Sequence, residues 1–402
     1  MRPYTSMQLR SLLTSALCAL LAVPCGASTT KLFTPIPTPN TALVAPADPD
    51  HFTFVVSGDN RSAGPETPMP ASLDEICREI GWIHPEFTLW TGDCIEGYGD
   101  TPAQANAEYD AFLAGTSLID GPVFNAPGNH EFSLDPELLP VYLKRMGPLY
   151  GSFDYGNSHF VVLNSSPPNP DGTIMSADLN DTEWMWLESD LKANQGAKNI
   201  FVMLHHYVFG PPDPDTPDVD TGWKSIAERD RFHAMMVKYG VRAVFCGHAH
   251  LYWHENKDGV DYYISGGAGA PLDTTPDKGG YYHYLLFTVN GNTATPQILQ
   301  PWHLELDYPN GNSGTSPTAK ILATNTNFFE VTAGHIVAHL AAPPAGQTLT
   351  VTAFSAYKKK VKPVAAQIVS VTPDPNGGVD AVVSAALTPA HTVEIDVAPA
   401  TH

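Results

Sequence analysis

The sequence predicts an α/β fold, a sheet system flanked by helices with antiparallel strands added, followed by a small all-β module. Three observations predict it. From about residue 50, short runs rich in β-branched and aromatic residues alternate with amphipathic helical patterns. After residue 250, strand candidates follow one another directly. Beyond the linker-like stretch "YPNGNSGTSP" (308–317), only short strand candidates separated by Pro, Gly and Asn remain, the pattern of a small sandwich.

The elements read in order as follows. "HFTFVVS" (51–57) is a strand. "SLDEICREIGW" (72–82) is a helix, with Ser72 as its cap and Glu75 three residues on. "FTLWTGD" (87–93) is a strand and "PAQANAEYDAFLAGT" (102–116) a helix, and "PVFNAPGNH" (122–130) is a strand running into a loop. "SFDYG" (152–156) and "HFVVLNS" (159–165) read as an antiparallel pair joined through Gly156 and Asn157. A helix over 179–194, the strand "NIFVMLHH" (199–206), a helix over about 223–239 and the strand "RAVFCGHAH" (242–250) come next. "VDYYISGG", "YYHYLLFTVNG" and "ATPQILQ" add strands, and five further candidates follow the linker. The basic run "KKKVK" (358–362) suits a solvated strand edge that discourages pairing with other chains.

With 402 residues, 43% apolar and 16% charged, the chain is globular and long enough for more than one domain. Residues 1–27 stand apart. Arg2 and Arg10 precede an apolar stretch at 12–23 that is too short to span a membrane, and small residues follow at 25–27. This is the pattern of a cleaved secretory signal, so export to the periplasm or the medium is expected. Its loss removes two of the 21 basic residues and no acid, taking the formal charge from −21 to −23. Such a surface is the wrong electrostatic partner for nucleic acid. No later run is long enough for a transmembrane helix. Cys77, Cys94 and Cys246 remain, an odd number that argues against a disulfide framework. The expected organisation is signal (1–27), N-terminal extension (28–50), main α/β domain (51–307), then linker and C-terminal β module (308–402).

Five strand ends share one feature. Each apolar run stops at a small turn carrying Asp, Asn or His: "SGDN" (Asp59), "TGDC" (Asp93), "PGNHE" (Asn129, His130), "MLHH" (His205, His206) and "CGHAH" (His248, His250). Turns alone do not need imidazole. In an open α/β sheet the strand ends converge on one rim, where ligands bind. Carboxylate, amide and imidazole together form a ligand set suited to Mn, Fe or Zn. Alternation along "NIFVMLHH" sends His205 and His206 to opposite faces.

The series Gly-Asp, Gly-Asn-His-Glu, a strand ending in His, and Gly-His-Ala-His resembles the calcineurin-like metallophosphoesterases, over residues 51–250. That resemblance implies an αββα sandwich of two mixed sheets flanked by helices. It also implies two divalent ions and hydrolysis of phosphate mono- or diesters by in-line attack of a bridging hydroxide. Carried over residue by residue, Asp93 bridges the two ions. Asn129, His205 and His248 complete one site, Asp59 and His250 serve the other, and His130 meets the scissile phosphate.

Arg61 is a departure, since it stands where many members place a metal-binding histidine. Guanidinium has no lone pair to offer. It binds a non-bridging phosphate oxygen, for which its planar fork is suited, or it pairs with a nearby acid. Glu96 stands where purple acid phosphatases carry a tyrosine ligand; it offers an oxygen to the first metal or faces solvent. His206 is placed near substrate, and Tyr98 and Tyr207 are candidates to stack on a leaving group. His254 has no motif counterpart. The proline-rich loops 165–178 and 210–223 flank the expected site, and the second is acidic. The competing reading is a binding protein that acts through its C-terminal module on glycan or cell envelope.

Overall fold

The computed structural model describes residues 32–400 apart from 40–41, 47, 65–67, 169–176, 212–221, 302–303, 308–318, 325–333, 358–359, 374–377 and 386–391. The signal, the linker 308–317, the first two lysines of the basic run and the middle of both proline-rich loops lie outside the described residues.

The elements are β1 (His51–Ser57), α1 (Ala71–Ile83), β2 (Thr88–Trp90), α2 (Pro102–Thr116), β3 (Val123–Asn125), α3 (Asn129–Phe132), α4 (Leu139–Arg145), β4 (Gly151–Tyr155) and β5 (Ser158–Val162). After them come α5 (Asp181–Ala193), β6 (Asn199–Met203), α6 (Ile226–Lys238), β7 (Ala243–Cys246), β8 (Tyr252–Lys257), β9 (Val260–Ser265), β10 (Tyr284–Asn290) and β11 (Thr293–Leu299). The C-terminal part contains β12 (Leu304–Asp307), β13 (Ala319–Thr324), β14 (Gly334–Leu340), β15 (Leu349–Tyr357), β16 (Lys360–Val364), β17 (Ala366–Pro373), β18 (Val379–Ala385) and β19 (Thr392–Pro399).

Two mixed sheets carry the first part, with strand orders β11-β10-β1-β2-β3 and β4-β5-β6-β7-β9-β8. In the first, β1, β2 and β3 run parallel; in the second, β5, β6, β7 and β9 do. Period-two alternation explains how the layers stack. Phe52, Phe54 and Val56 of β1, Phe201 and Met203 of β6, and Ala243 and Phe245 of β7 share one core between the sheets. The intervening residues face helices: Val55 packs with α1 and α2, while Ile200, Val202 and Val244 pack with α5 and α6. The result is four layers, α-β-β-α, as expected. Phe54 sits at the centre, its ring 5.5 Å from Phe87, 5.1 Å from Phe287 and 5.4 Å from Phe160.

Some local details differ from the sequence reading. Pro70, not Ser72, occupies the α1 cap position, and Ser72 Oγ donates instead to Ala268 O at 3.0 Å. The cap is displaced because that hydroxyl is drawn into a tertiary contact. By contrast α2 starts at a complete capping box, Thr101 with Gln104. The strand β8 and the helix α4 carry too weak a pattern to have been read. Cys77, Cys94 and Cys246 are buried free thiols. Among the described residues, no helix is long and apolar enough to cross a membrane.

The C-terminal strands form two sheets, β12-β13-β19-β15-β16 and β14-β18-β17, around a core that includes Leu340, Ala353, Val383 and Ile395. The strand β12 already belongs to this sandwich, and β16, which carries the end of the basic run, is its edge strand. Val382 joins the apolar cluster under α1 and α2. Beside it His84 Nε2 lies 2.9 Å from Asp380 Oδ2, and His84 Nδ1 lies 3.3 Å from Asp120 Oδ2. The hydrogen bond to Asp380 outweighs partial burial and raises the His84 pKa above its ordinary 6.5. A raised folded pKa gives stabilisation that is complete below 6.5 and lost as pH rises through the higher value. Limited proteolysis of the C-terminal sandwich is therefore expected to accelerate across that window. His84→Gln should remove most of the pH dependence; an equal acceleration in the variant would refute the assignment.

Candidate metal centre

The registers level the strand ends. Ser57 pairs with Trp90 and Trp90 with Asn125 in one sheet; Met203 pairs with Phe245 in the other. Asp59, Asp93 and Asn129 follow two to four residues beyond the first set, and His205 and His248 two to three beyond the second. All five therefore arrive at one rim. Along β6 the series Phe201, Met203, His205 keeps to the face between the sheets, which is why His205 enters the site and His206 does not.

Three of these residues hold a left-handed backbone: Asp59 (φ 60°), Asp93 (φ 52°) and His248 (φ 68°). Such strain at successive strand ends is held by packing and concentrates at functional sites. Two glycines make room for the side chains. A Cβ on Gly247 would lie 2.1 Å from Asp59 Oδ2, and one on Gly128 would lie 2.2 Å from Asp93 Oδ1. Glu131, fully buried, ties the turns together by accepting from the backbone N–H of Cys94 (2.6 Å), Asp93 (3.2 Å) and Gly128. Burial pushes its carboxyl up to about 8, with the nearby Asp93 charge adding to the shift.

The donor groups converge on one another. His205 donates Nδ1–H to Thr91 O at 2.8 Å. A neutral ring then turns a lone pair at Nε2 toward Asn129 Oδ1, 2.9 Å away, and Asp93 Oδ1, 3.3 Å away. His248 Nδ1 lies 2.9 Å from the same Asn129 oxygen and 3.3 Å from His205 Nε2. Burial lowers the pKa of His205 and takes that of His248 down to about 3, so neither ring is protonated at neutral pH. The His205 Nε2 lone pair faces the oxygens of Asn129 and Asp93, and lone pairs so placed repel unless a proton or a cation lies among them.

Asp59 supports the same conclusion. Its Oδ1 accepts from His248 N at 2.9 Å, whereas no hydrogen-bond donor among the described residues reaches its buried Oδ2. A buried carboxylate oxygen without a partner is costly, and a metal ion removes the cost. Ligand atoms of Asp59, Asp93 and His205 lie within 4.8 Å of one another, close enough to share one ion. His250 donates Nδ1–H to Pro271 O at 2.7 Å and turns Nε2 toward Asp59 Oδ1, 3.8 Å away. The backbone carbonyls that take the Nδ1 protons of His205 and His250 fix each ring's tautomer, as metal-binding histidines require. Burial and the Asp93 charge raise the Asp59 pKa; the Asp93 carboxyl is held below its ordinary range despite burial, with the Arg61 guanidinium as the permanent positive charge beside it.

His130 stands beside this centre. Its Nδ1–H is given to Glu96 O, and Nε2 lies 3.9 Å from Asp93 Oδ2. Arg61 Nη1 donates to Glu96 Oε2 at 2.8 Å and to Ser62 O at 3.1 Å, while its Nε lies 3.8 Å from Asp93 Oδ2. Arg61 and Glu96 thus form an ion pair that walls one side of the site, and the Glu96 oxygen is engaged by Arg61. His206 lies behind, its N–H donating to Ser165 Oγ at 3.2 Å and its ring 4.4 Å from that of His248. His254 is elsewhere, on β8, bound to Asp261 and stacked on Tyr263. Tyr98 packs on the His130 ring. Glu131 and Tyr98 carry no role at the metal in the sequence reading. The first was visible only as the fourth residue of Gly-Asn-His-Glu.

Comparison with known proteins extends these observations. Over 175 residues, 41% of this chain and 57% of the relative, it is 27% identical to a probable glycerophosphodiester phosphodiesterase of Arcobacter nitrofigilis. Over 248 residues, 56% of this chain and 46% of the relative, it is 26% identical to the phosphoenolpyruvate phosphatase of Allium cepa. The chain spans about half the length of these curated relatives. A purple acid phosphatase from yellow lupin (Lupinus luteus) superposes with a TM-score of 0.49 at 17% identity, covering 63% of this chain and 53% of that one. Residues 49–252, half of the chain and the segment that holds every group of the centre, match the calcineurin-like phosphoesterase family, to which this chain belongs.

Proposed function

We propose that the chain is an exported, metal-dependent hydrolase of phosphate mono- or diesters with two divalent ions, Mn, Fe or Zn, at this centre. One observation carries the reading: His205 Nε2, His248 Nδ1, the Asn129 amide oxygen and the carboxylates of Asp93 and Asp59 converge in one buried cluster, beside His130. Asp93, Asn129, His205 and His248 would hold one ion, and Asp59, His250 and the second Asp93 oxygen the other. When bound, such a pair supplies a nucleophilic hydroxide at neutral pH and neutralises charge on the phosphoryl oxygens.

The remaining work falls to this chain's own groups. His130, fixed at Nδ1 by Glu96 O, presents Nε2 to the phosphoryl group; protonated there, it bonds a phosphoryl oxygen and gives its proton to the leaving alkoxide. Arg61 is held at one end by Glu96, and its Nε–H has no acceptor among the described residues, so it is free to take a non-bridging oxygen. The names of the relatives include a phosphodiesterase and a phosphatase, and the class of ester is left to experiment.

The test is hydrolysis of p-nitrophenyl phosphate and bis-p-nitrophenyl phosphate by metal-stripped protein reconstituted with Mn²⁺. Metal-dependent turnover is expected, the faster substrate giving the ester class, with Arg61→Ala raising KM for the preferred one. Stoichiometric metal uptake without turnover of either ester, at any pH or with any of the three metals, would replace the hydrolase with a binding protein.

A further inference from the structure

An asparagine ligand has a problem that carboxylates do not. Its amide is nearly symmetric in shape but opposite in chemistry at its two ends. Turned by half a revolution, Asn129 would point an NH₂ group at a cation. Its Oδ1 lies 2.9 Å from both His205 Nε2 and His248 Nδ1, so something at the other end must hold the NH₂ away. That end donates Nδ2–H to the hydroxyl oxygen of Tyr98. The same tyrosine lies flat against His130, with ring centroids 3.9 Å apart and planes at 23°. One side chain, 31 residues away in sequence, touches both the ligand amide and the catalytic imidazole.

We infer that Tyr98 is a positioning residue with two separable tasks. Its hydroxyl anchors the Asn129 side chain by taking its Nδ2–H, holding Oδ1 between His205 and His248, and its ring face keeps the His130 imidazole aligned on the Glu96 carbonyl. The inference rests on the function proposed above. The two tasks come apart because Tyr98→Phe removes only the hydroxyl, whereas Tyr98→Leu removes hydroxyl and ring.

The experiment titrates metal-free protein with Mn²⁺ by calorimetry and then measures kcat and KM against pH at saturating Mn²⁺. Tyr98→Phe is expected to weaken Mn²⁺ binding by about tenfold, the usual size for losing an outer partner of a ligand, with kcat at saturation within a few-fold of the parent. Tyr98→Leu should show the same affinity loss, a kcat lower by about a further tenfold and a shifted acidic limb, at unchanged KM. A control isolates the amide. In an Asn129→Ala background there is no side-chain amide to anchor, so adding Tyr98→Phe should cost no further affinity. Wild-type Mn²⁺ affinity in Tyr98→Phe, or an equal loss in the Asn129→Ala background, would overturn the hydroxyl's role. An unchanged kcat and pH profile in Tyr98→Leu would overturn the ring's. Should the leucine variant fail to fold, Tyr98→Trp, which keeps a ring face without the hydroxyl, tests the ring by retaining kcat. If Asp93→Asn also binds Mn²⁺ normally, it is the metal centre that fails and not Tyr98.

Discussion

Asp93→Asn is expected to lower kcat/KM by about a thousandfold, ~4 kcal/mol of transition-state stabilisation, and to leave the protein with less than its full complement of metal. Asp93 is the carboxylate on which the centre converges. One oxygen faces His205 at 3.3 Å and accepts from His130 N at 3.1 Å; the other lies within 4 Å of both Arg61 and His130. Its carboxyl stays below its ordinary range against the cost of burial, with the Arg61 guanidinium the permanent positive charge beside it. Asparagine preserves shape and tolerates the left-handed backbone at this position, so the fold should survive while the bridging charge is lost. Metal content by mass spectrometry and a thermal melt separate the two. Full metal content with activity within tenfold of the parent would show that Asp93 bridges nothing.

His130→Ala is expected to behave differently: kcat falls by roughly 10²–10⁴-fold while Mn²⁺ affinity stays within a few-fold. Its backbone N–H holds Asp93 Oδ1 and survives the change, whereas its imidazole Nε2 is directed at the site and not committed to a ligand pair. Burial lowers its pKa, leaving it neutral until an anion enters. A group that protonates the leaving oxygen matters most where that oxygen is basic. The loss should therefore be larger for an alkyl phosphate than for p-nitrophenyl phosphate, whose leaving group needs no proton. Equal losses on both esters would assign His130 to phosphate binding alone.

Most of the candidate ligand set was legible in the sequence because each candidate ligand follows a strand end. A buried strand is a continuous apolar run, so a carboxylate, amide or imidazole at its end stands out, and period two separates His205 from His206 before any coordinates exist. The helix over 102–116 was legible for the same local reason, whereas its cap at Thr101 emerged only from the structure. Where a local signal had a distant competitor, the sequence misled: Ser72 looked like a cap but its hydroxyl serves Ala268.

What surrounds the ligands was not legible. Arg61 had two readings of equal standing, and the position of Glu96, 35 residues on, brought the two into an ion pair. Tyr98 lies five residues past Asp93, in a turn whose path no pattern predicts, and only the folded loop lays its ring on His130. Glu131 points its carboxylate back at three backbone N–H groups because the turns after β2 and β3 meet. The docking of β18 on α1 through His84 and Asp380 joins residues 296 apart. By itself the sequence determined which residue types reach the rim, since strand periodicity and chain order are local properties. Tertiary structure alone decided which of them touch, which tautomer each ring adopts and which charges are shared, since those depend on distances of a few ångströms between turns that the chain brings together only on folding.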